Sequence, residues 1–208
     1  MELLDTLGWR ATGLRNRLED RYWERRLNIA TSGYQSVVAT DANSYGTCAY
    51  RSIFGVIERL ELEPSDVFID IGCGKGRVIC CAALSHARKI IGLDIDKSLC
   101  KDAEENVRRM KGGRTPVEIV NASATAFDYR DCTVFVLFNP FGAATVAETL
   151  DAIKKTHADH PRELRFGYVN PFHDFLFEKS GFLTCFDRWE RRPWSGLKFN
   201  VSFWRTTG

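Results

Sequence analysis

The chain has 208 residues, enough for one sizeable core and little beyond it. Hydrophobic residues at 44% and charged residues at 27% exclude wholesale disorder. With 29 basic against 27 acidic residues, the formal net charge of +2 gives no support for a broad nucleic-acid footprint.

No apolar stretch approaches the roughly 20 residues that span a bilayer. The first ten residues carry Glu2 and Asp5 and lack the basic start and apolar run of a signal peptide. The expected location is therefore cytoplasmic. Seven cysteines are present, an odd number with no C-x-x-C spacing, and several lie in apolar runs such as residues 78–83. They read as buried reduced thiols. The four histidines show no metal-ligand spacing with them, so no metal site is expected.

In chain order, residues 1–46 read as a helical N-terminal extension. Leu14, Leu18, Tyr22 and Ile29 suggest a helix face, surrounded by Arg10, Arg15, Arg17, Arg21, Arg25 and Arg26. With five acids in the first 30 residues, this reads as a solvated face, the alternative being a lid or anion-binding segment. Residues 47–208 form the second expected unit. Ile53, Phe54, Ile57 and Leu60 mark a helix over 47–62, ended by Pro64. Val67–Ile71 reads as a buried strand, followed by a glycine cluster and a helix from about Lys75.

Strands follow at 89–93, 117–120, Val134–Phe138 and 164–169. Between them, Leu99, Ala103, Val107 and Met110 mark one helix and Val146, Leu150 and Ile153 another. Phe172, Phe175 and Leu176 begin a helix closed by Gly181. Repeated strand–helix units imply an α/β fold, a parallel sheet covered by helices on both faces. The runs 182–189 and 197–204 leave no room for a helix between them, so they predict a hairpin with an antiparallel last strand.

The strongest chemical signal is Val67-Phe-Ile-Asp-Ile-Gly-Cys-Gly-Lys-Gly76. Glycine permits a sharp turn and lets a ligand approach where any Cβ would clash. The helix start beyond supplies unpaired amides. The spacing is D-x-G-x-G-x-G. A dinucleotide fingerprint would place its third glycine at 77, which is Arg77. Asp94 ends the next strand 18 residues past Gly76, where a carboxylate can accept bonds from ribose hydroxyls.

At these residues the chain resembles the class I S-adenosylmethionine (SAM)-dependent methyltransferases, over roughly residues 47–205. The resemblance implies a Rossmann-like, doubly wound, seven-stranded and mostly parallel sheet with an antiparallel C-terminal strand. It implies SAM as cofactor, with Asp70, Gly72, Cys73, Gly74 and Gly76 in the loop holding its methionine end. Asp94 becomes the ribose acid and Ile95 a contact to the adenine face. Ser123 stands near the position where relatives often carry an acid for the adenine amino group. Tyr45 precedes the first helix, where relatives often close a segment over SAM.

On the acceptor side, Asn139-Pro140-Phe141 ends the fourth strand, where ligands of open α/β sheets bind. It resembles the Asn-Pro-Pro-Tyr/Phe motif of amino-group methyltransferases, with Phe141 in place of the second proline. That implies amine N-methylation, Asn139 and the following carbonyl serving as acceptors. Tyr168 and Asn170 are candidates for the cleft wall. His173 is a candidate proton acceptor, with helix capping as the alternative. The hairpin loop carries Arg191, Arg192, Trp194 and Lys198, a set suited to an anionic or aromatic substrate or simply to a solvated loop. Near-neutral charge favours a small molecule or peptide over nucleic acid. A non-catalytic SAM-binding module and a dinucleotide oxidoreductase are the rival readings. Oligomeric state is not readable from the chain.

Overall fold

The computed structural model describes residues 2–37, 41–193, 195 and 197–207, and the side chains of residues 2–5, 7 and 9 are outside that description. Trp194 of the hairpin loop lies outside the described residues. A seven-stranded sheet runs in the order β3-β2-β1-β4-β5-β7-β6. Its strands are β1 (Val67–Ile71), β2 (Lys89–Asp94), β3 (Val117–Asn121), β4 (Val134–Phe138), β5 (Arg165–Val169), β6 (Leu183–Trp189) and β7 (Val201–Thr206). The first five are parallel, and β7 is antiparallel to both neighbours.

Every residue of β1 is buried, because both sheet faces are covered. Alternation divides its side chains between two cores: Phe68 joins one, and Val67, Ile69 and Ile71 join the other. The first core also takes Ile53 and Val56 of α2 (Tyr50–Arg59) and Ile79 and Cys80 of α3 (Arg77–Ala82). Val107 of α4 (Lys97–Arg109) packs against it. The second takes Val146, Leu150 and Ile153 of α5 (Ala143–Asp159) and Phe177 of α6 (Asp174–Lys179). The strand order reverses between β1 and β4, and a crevice opens there at the carboxyl ends of the strands.

Three local expectations need correction. The helix after the glycines begins at Arg77, two residues later than the spacing suggested, because Gly76 takes a left-handed φ of +83° as its N-cap. Phe172 and Phe175 are exposed, and Phe177 is the residue of that segment buried among Phe166, Tyr168 and Trp204. The third correction concerns α1 (Glu2–Leu27). Leu14, Leu18 and Tyr22 point to solvent at 56%, 58% and 55% exposure, and Ile29 lies beyond the helix. The inward face carries Thr12, Asp20, Trp23, Glu24 and Leu27 instead.

That polar face has a cause. Arg77 is 4% exposed, and its guanidinium requires partners. It pairs with Asp20 at 3.0 Å and Glu24 at 3.3 Å, donates to Thr31 Oγ1 at 2.8 Å and the Cys48 carbonyl at 3.0 Å, and lies over the Tyr50 ring. Among the described residues six cysteines are buried, Cys185 is half-buried and all are free thiols. Among the described residues, no helix is long and apolar enough to cross a membrane, and no cluster of His, Cys, Asp or Glu is arranged to hold a metal ion.

Candidate active site

Strand β1 runs into Asp70 and then turns through Gly72 and Gly74, both at positive φ. The turn is held to β2, since Gly72 and Cys73 both donate their N–H to the Leu93 carbonyl, at 2.8 and 3.0 Å. Asp94 completes the hold: one carboxylate oxygen accepts the Gly74 N–H at 2.8 Å and the other the Asp96 N–H at 2.9 Å. Burial raises the Asp94 carboxyl above its ordinary range, opposed by these amide bonds.

Two glycines are required by what faces them. A Cβ on Gly72 would lie 2.5 Å from Pro140 Cβ, and one on Gly74 would lie 2.3 Å from the Tyr45 ring. Gly76 has another task. Its Cβ position faces Ile79 and Ala103, so it serves helix packing, and it does not line the cavity.

The cavity is walled by Asp70, Gly72, Cys73, Gly74, Asp94 and Ile95 on the loop side and by Ser123 beyond β3. Tyr45, Asn139, Pro140, Phe141 and Asn170 close the other side. Asp70 is 2% exposed, and among the described residues no donor reaches its carboxylate. Burial, with the Asp94 charge adding to it, raises its pKa to about 8. A buried carboxylate without a partner, facing a cavity, is the counterpart of an ammonium group. Ser123 Oγ is engaged locally with Thr125 Oγ1 at 2.9 Å.

Asn139 and Asn170 end adjacent parallel strands, each followed by Pro-Phe, and both sit at positive φ, +41° and +55°. Asparagine tolerates that region better than other non-glycine residues, and such strain concentrates at functional sites. Tyr168, a candidate for the cleft wall, is fully buried and does not line the cavity; it donates its hydroxyl to Asn139 Oδ1 at 3.4 Å. His173 stands apart. It is the N-cap of α6, its ring edges against Phe175, and it does not line the cavity. Its side chain makes no capping hydrogen bond and packs on Phe175 instead.

The resemblance placed a closing segment at Tyr45, but nothing in the sequence marked residues 41–43, which anchor this strap over the site. Asn43 donates its N–H to the Pro140 carbonyl and its side-chain amide to the Asn139 carbonyl, both at 2.8 Å. Ala42 bridges Phe141, and Gly142 donates to the Asp41 carbonyl. The Asp41 carboxylate accepts from Thr145 N and Oγ1 in the first turn of α5, whose own N-cap, Gly142, has no side chain to do so. Tyr45 donates its hydroxyl to the Thr31 carbonyl, which ties the strap back to the Arg77 cluster. These contacts join residues far apart in sequence and leave no periodic trace. The hairpin loop faces elsewhere: Arg191 and Lys198 line a second cleft with Thr12 and Arg17 of α1, and Arg192 pairs with Glu190.

Comparison with known proteins agrees with this geometry. The family model "Histone methylation protein DOT1" matches residues 29–114, from the strap through the glycine loop to the end of α4. A histone-lysine N-methyltransferase, H3 lysine-79 specific, from Caenorhabditis elegans is 30% identical over 57 residues, covering 27% of this chain. The chain matches only 6% of that relative's length. Among solved structures, an RNA methyltransferase from Salinibacter ruber in complex with S-adenosyl-L-homocysteine aligns with a TM-score of 0.54 at 18% identity, covering 76% of this chain and 91% of that one. A SAM-dependent O-methyltransferase from Thermotoga maritima aligns at 0.59 and 16% identity, covering 76% and 66%. The shared fold, the family match across the strap and glycine loop, and a cavity placed where the strand order reverses agree on one architecture: the chain has the Rossmann-like fold of the class I S-adenosylmethionine-dependent methyltransferases.

Proposed function

We propose that the enzyme methylates an amine nitrogen, with the lysine side chain of a peptide or protein as acceptor. The observation that carries this reading is the acceptor set at the end of β4. Asn139, Pro140 and Phe141 line the cavity wall beside Gly72. Asn139 Oδ1 accepts from Tyr168 and the Pro140 carbonyl from Asn43, and both are uncharged oxygens that keep a second lone pair for an acceptor N–H. Neutral oxygens suit an amine, because they accept its N–H groups and turn the nitrogen lone pair toward the electrophile. The lysine-specific name of the matched relative supports the same class, and the family model covers residues 29–114, the cofactor side of the cavity, and ends before Asn139.

On this reading Asp70 meets the amino end of SAM, and the backbone of Gly72, Cys73 and Gly74 lines its methionine part. Asp94 accepts from the ribose, while Ile95 and Ser123 flank the adenine. Tyr45 and the strap residues 41–45 form a lid, so that residues 1–46 act with the domain at 47–208. Bound SAM supplies an activated methyl group, so the chain's own task is alignment and exclusion of water. Phe141 and Tyr45 exclude solvent from the cavity. Asn139 and the Pro140 carbonyl orient the acceptor nitrogen, and no side chain is required to take its proton once the amine enters neutral.

The test is transfer of tritiated methyl from SAM to a histone mixture, to total tRNA and to a metabolite extract, followed by acid hydrolysis. Label recovered as N-methyllysine supports the proposal; label confined to RNA or to the metabolite fraction overturns it. Asn139→Ala is expected to lower kcat by about a hundredfold, the scale of losing one well-placed polar group, with SAM affinity changed only a few-fold. Unchanged turnover removes Asn139 from the account.

A further inference from the structure

The near-neutral composition conceals a sharp division of charge on α1. Its described acids are occupied: Asp20 and Glu24 bind Arg77, and Glu19 binds Arg51 and Arg15. The exposed Arg10, Arg17, Arg21 and Arg25 have no carboxylate among the described residues. The outward face is therefore cationic, although the composition of the segment is nearly balanced. Along its middle run Ala11, Leu14 and Leu18, all exposed, with Tyr22 following. Ala11, Leu14 and Leu18 are spaced three and then four residues apart.

We infer that this face of α1 docks an acidic amphipathic helix of a partner protein. The narrow three–four seam is the pattern of helix-on-helix packing, whereas a helix lying in a lipid interface needs a broader apolar face. Arg10 and Arg17 flank the seam on one side and Arg15 on the other, the positions that select partners in paired helices by charge. Two copies of this helix would set arginine against arginine in either orientation, which disfavours self-pairing. A phosphate backbone would match the cations and leave the leucines uncovered. Acidic flanks around a leucine seam satisfy both features.

The test uses the full chain and a labelled three-heptad peptide with leucine at the seam and glutamate beside it. A second peptide carries lysine in place of glutamate. Fluorescence anisotropy is expected to show saturable binding of the glutamate peptide and none of the lysine peptide. The affinity falls by about tenfold or more in Leu14→Gln/Leu18→Gln and in Arg10→Gln/Arg17→Gln. Both variants alter exposed residues, so their circular dichroism and Tm are expected to match the parent. No binding of the glutamate peptide, or equal binding by the double variants, overturns the inference. So does tighter binding to phosphatidylserine vesicles or duplex DNA than to the peptide, or a dimer in sedimentation that Leu14→Gln/Leu18→Gln dissolves.

Discussion

Asp70 carries a cost that a ligand can relieve. Its carboxyl is raised to about 8 by burial and by Asp94, so the folded state holds a proton that the unfolded chain releases near pH 4. Between these values the folded chain binds more protons, and stability falls as pH rises from about 4 to about 8. Asp70→Asn is therefore expected to flatten the decline of Tm with pH and to raise Tm at pH 8, as scanning calorimetry would show. An ammonium group binds the ionised form, so the affinity for S-adenosyl-L-homocysteine is expected to rise from pH 6 to 7.5, by at most about tenfold per unit. Calorimetric titration across that range checks it; a flat profile in the parent chain means that Asp70 does not meet the amino group. Asp94 differs from Asp70 in that each of its oxygens already accepts a backbone N–H and so holds the loop in shape.

Among the elements, the strap and α1 decide how the site is closed. Asp41 caps α5 from a distant part of the chain, and the strap's hold on the Asn139–Pro140 carbonyls depends on the same anchor. Asp41→Ala is expected to cost about 1 kcal/mol, the usual cost of losing a cap. Hydrogen exchange should show faster exchange at Asn43 and Tyr45, and unchanged protection there would show that the anchor is dispensable. Arg77 acts on a larger scale, joining α1, the strap and α3. Arg77→Met leaves Asp20 and Glu24 without their cation and is expected to cost about 3 kcal/mol, toward the lower end for a broken buried pair because both acids are partly exposed. In a chain of this size that lowers Tm by roughly 6–12 °C, with Arg77→Lys recovering only part because lysine lacks the guanidinium fork.

For the whole molecule, ligand binding should appear as stability. Saturation to about a hundred times Kd contributes roughly 2.7 kcal/mol, so S-adenosyl-L-homocysteine is expected to raise Tm by roughly 5–10 °C. NADH at the same concentration should leave Tm unchanged, and the reverse result would restore the dinucleotide reading. The sheet itself was legible in the chain, because buried parallel strands write themselves as β-branched runs such as Val67–Ile71 and Val134–Phe138. The glycine loop and Asp94 were legible for a similar reason: backbone turns and a strand-end acid are local and fix residue types at fixed spacing. The N-terminal segment misled, since the Leu14, Leu18 and Tyr22 stripe signalled a helix while its buried face was chosen by one distant guanidinium. His173 and Gly76 lay at plausible positions, yet side-chain direction and helix packing take them out of the cavity. The sequence alone determined the succession of strands and helices and the glycine turn after β1, because short-range periodicity and glycine spacing encode them, while the last strand begins at Val201, four residues beyond the expected start. Only the tertiary structure decided which residues roof the site and which face of α1 is free, because those depend on hydrogen bonds and ion pairs between segments with no shared pattern along the chain.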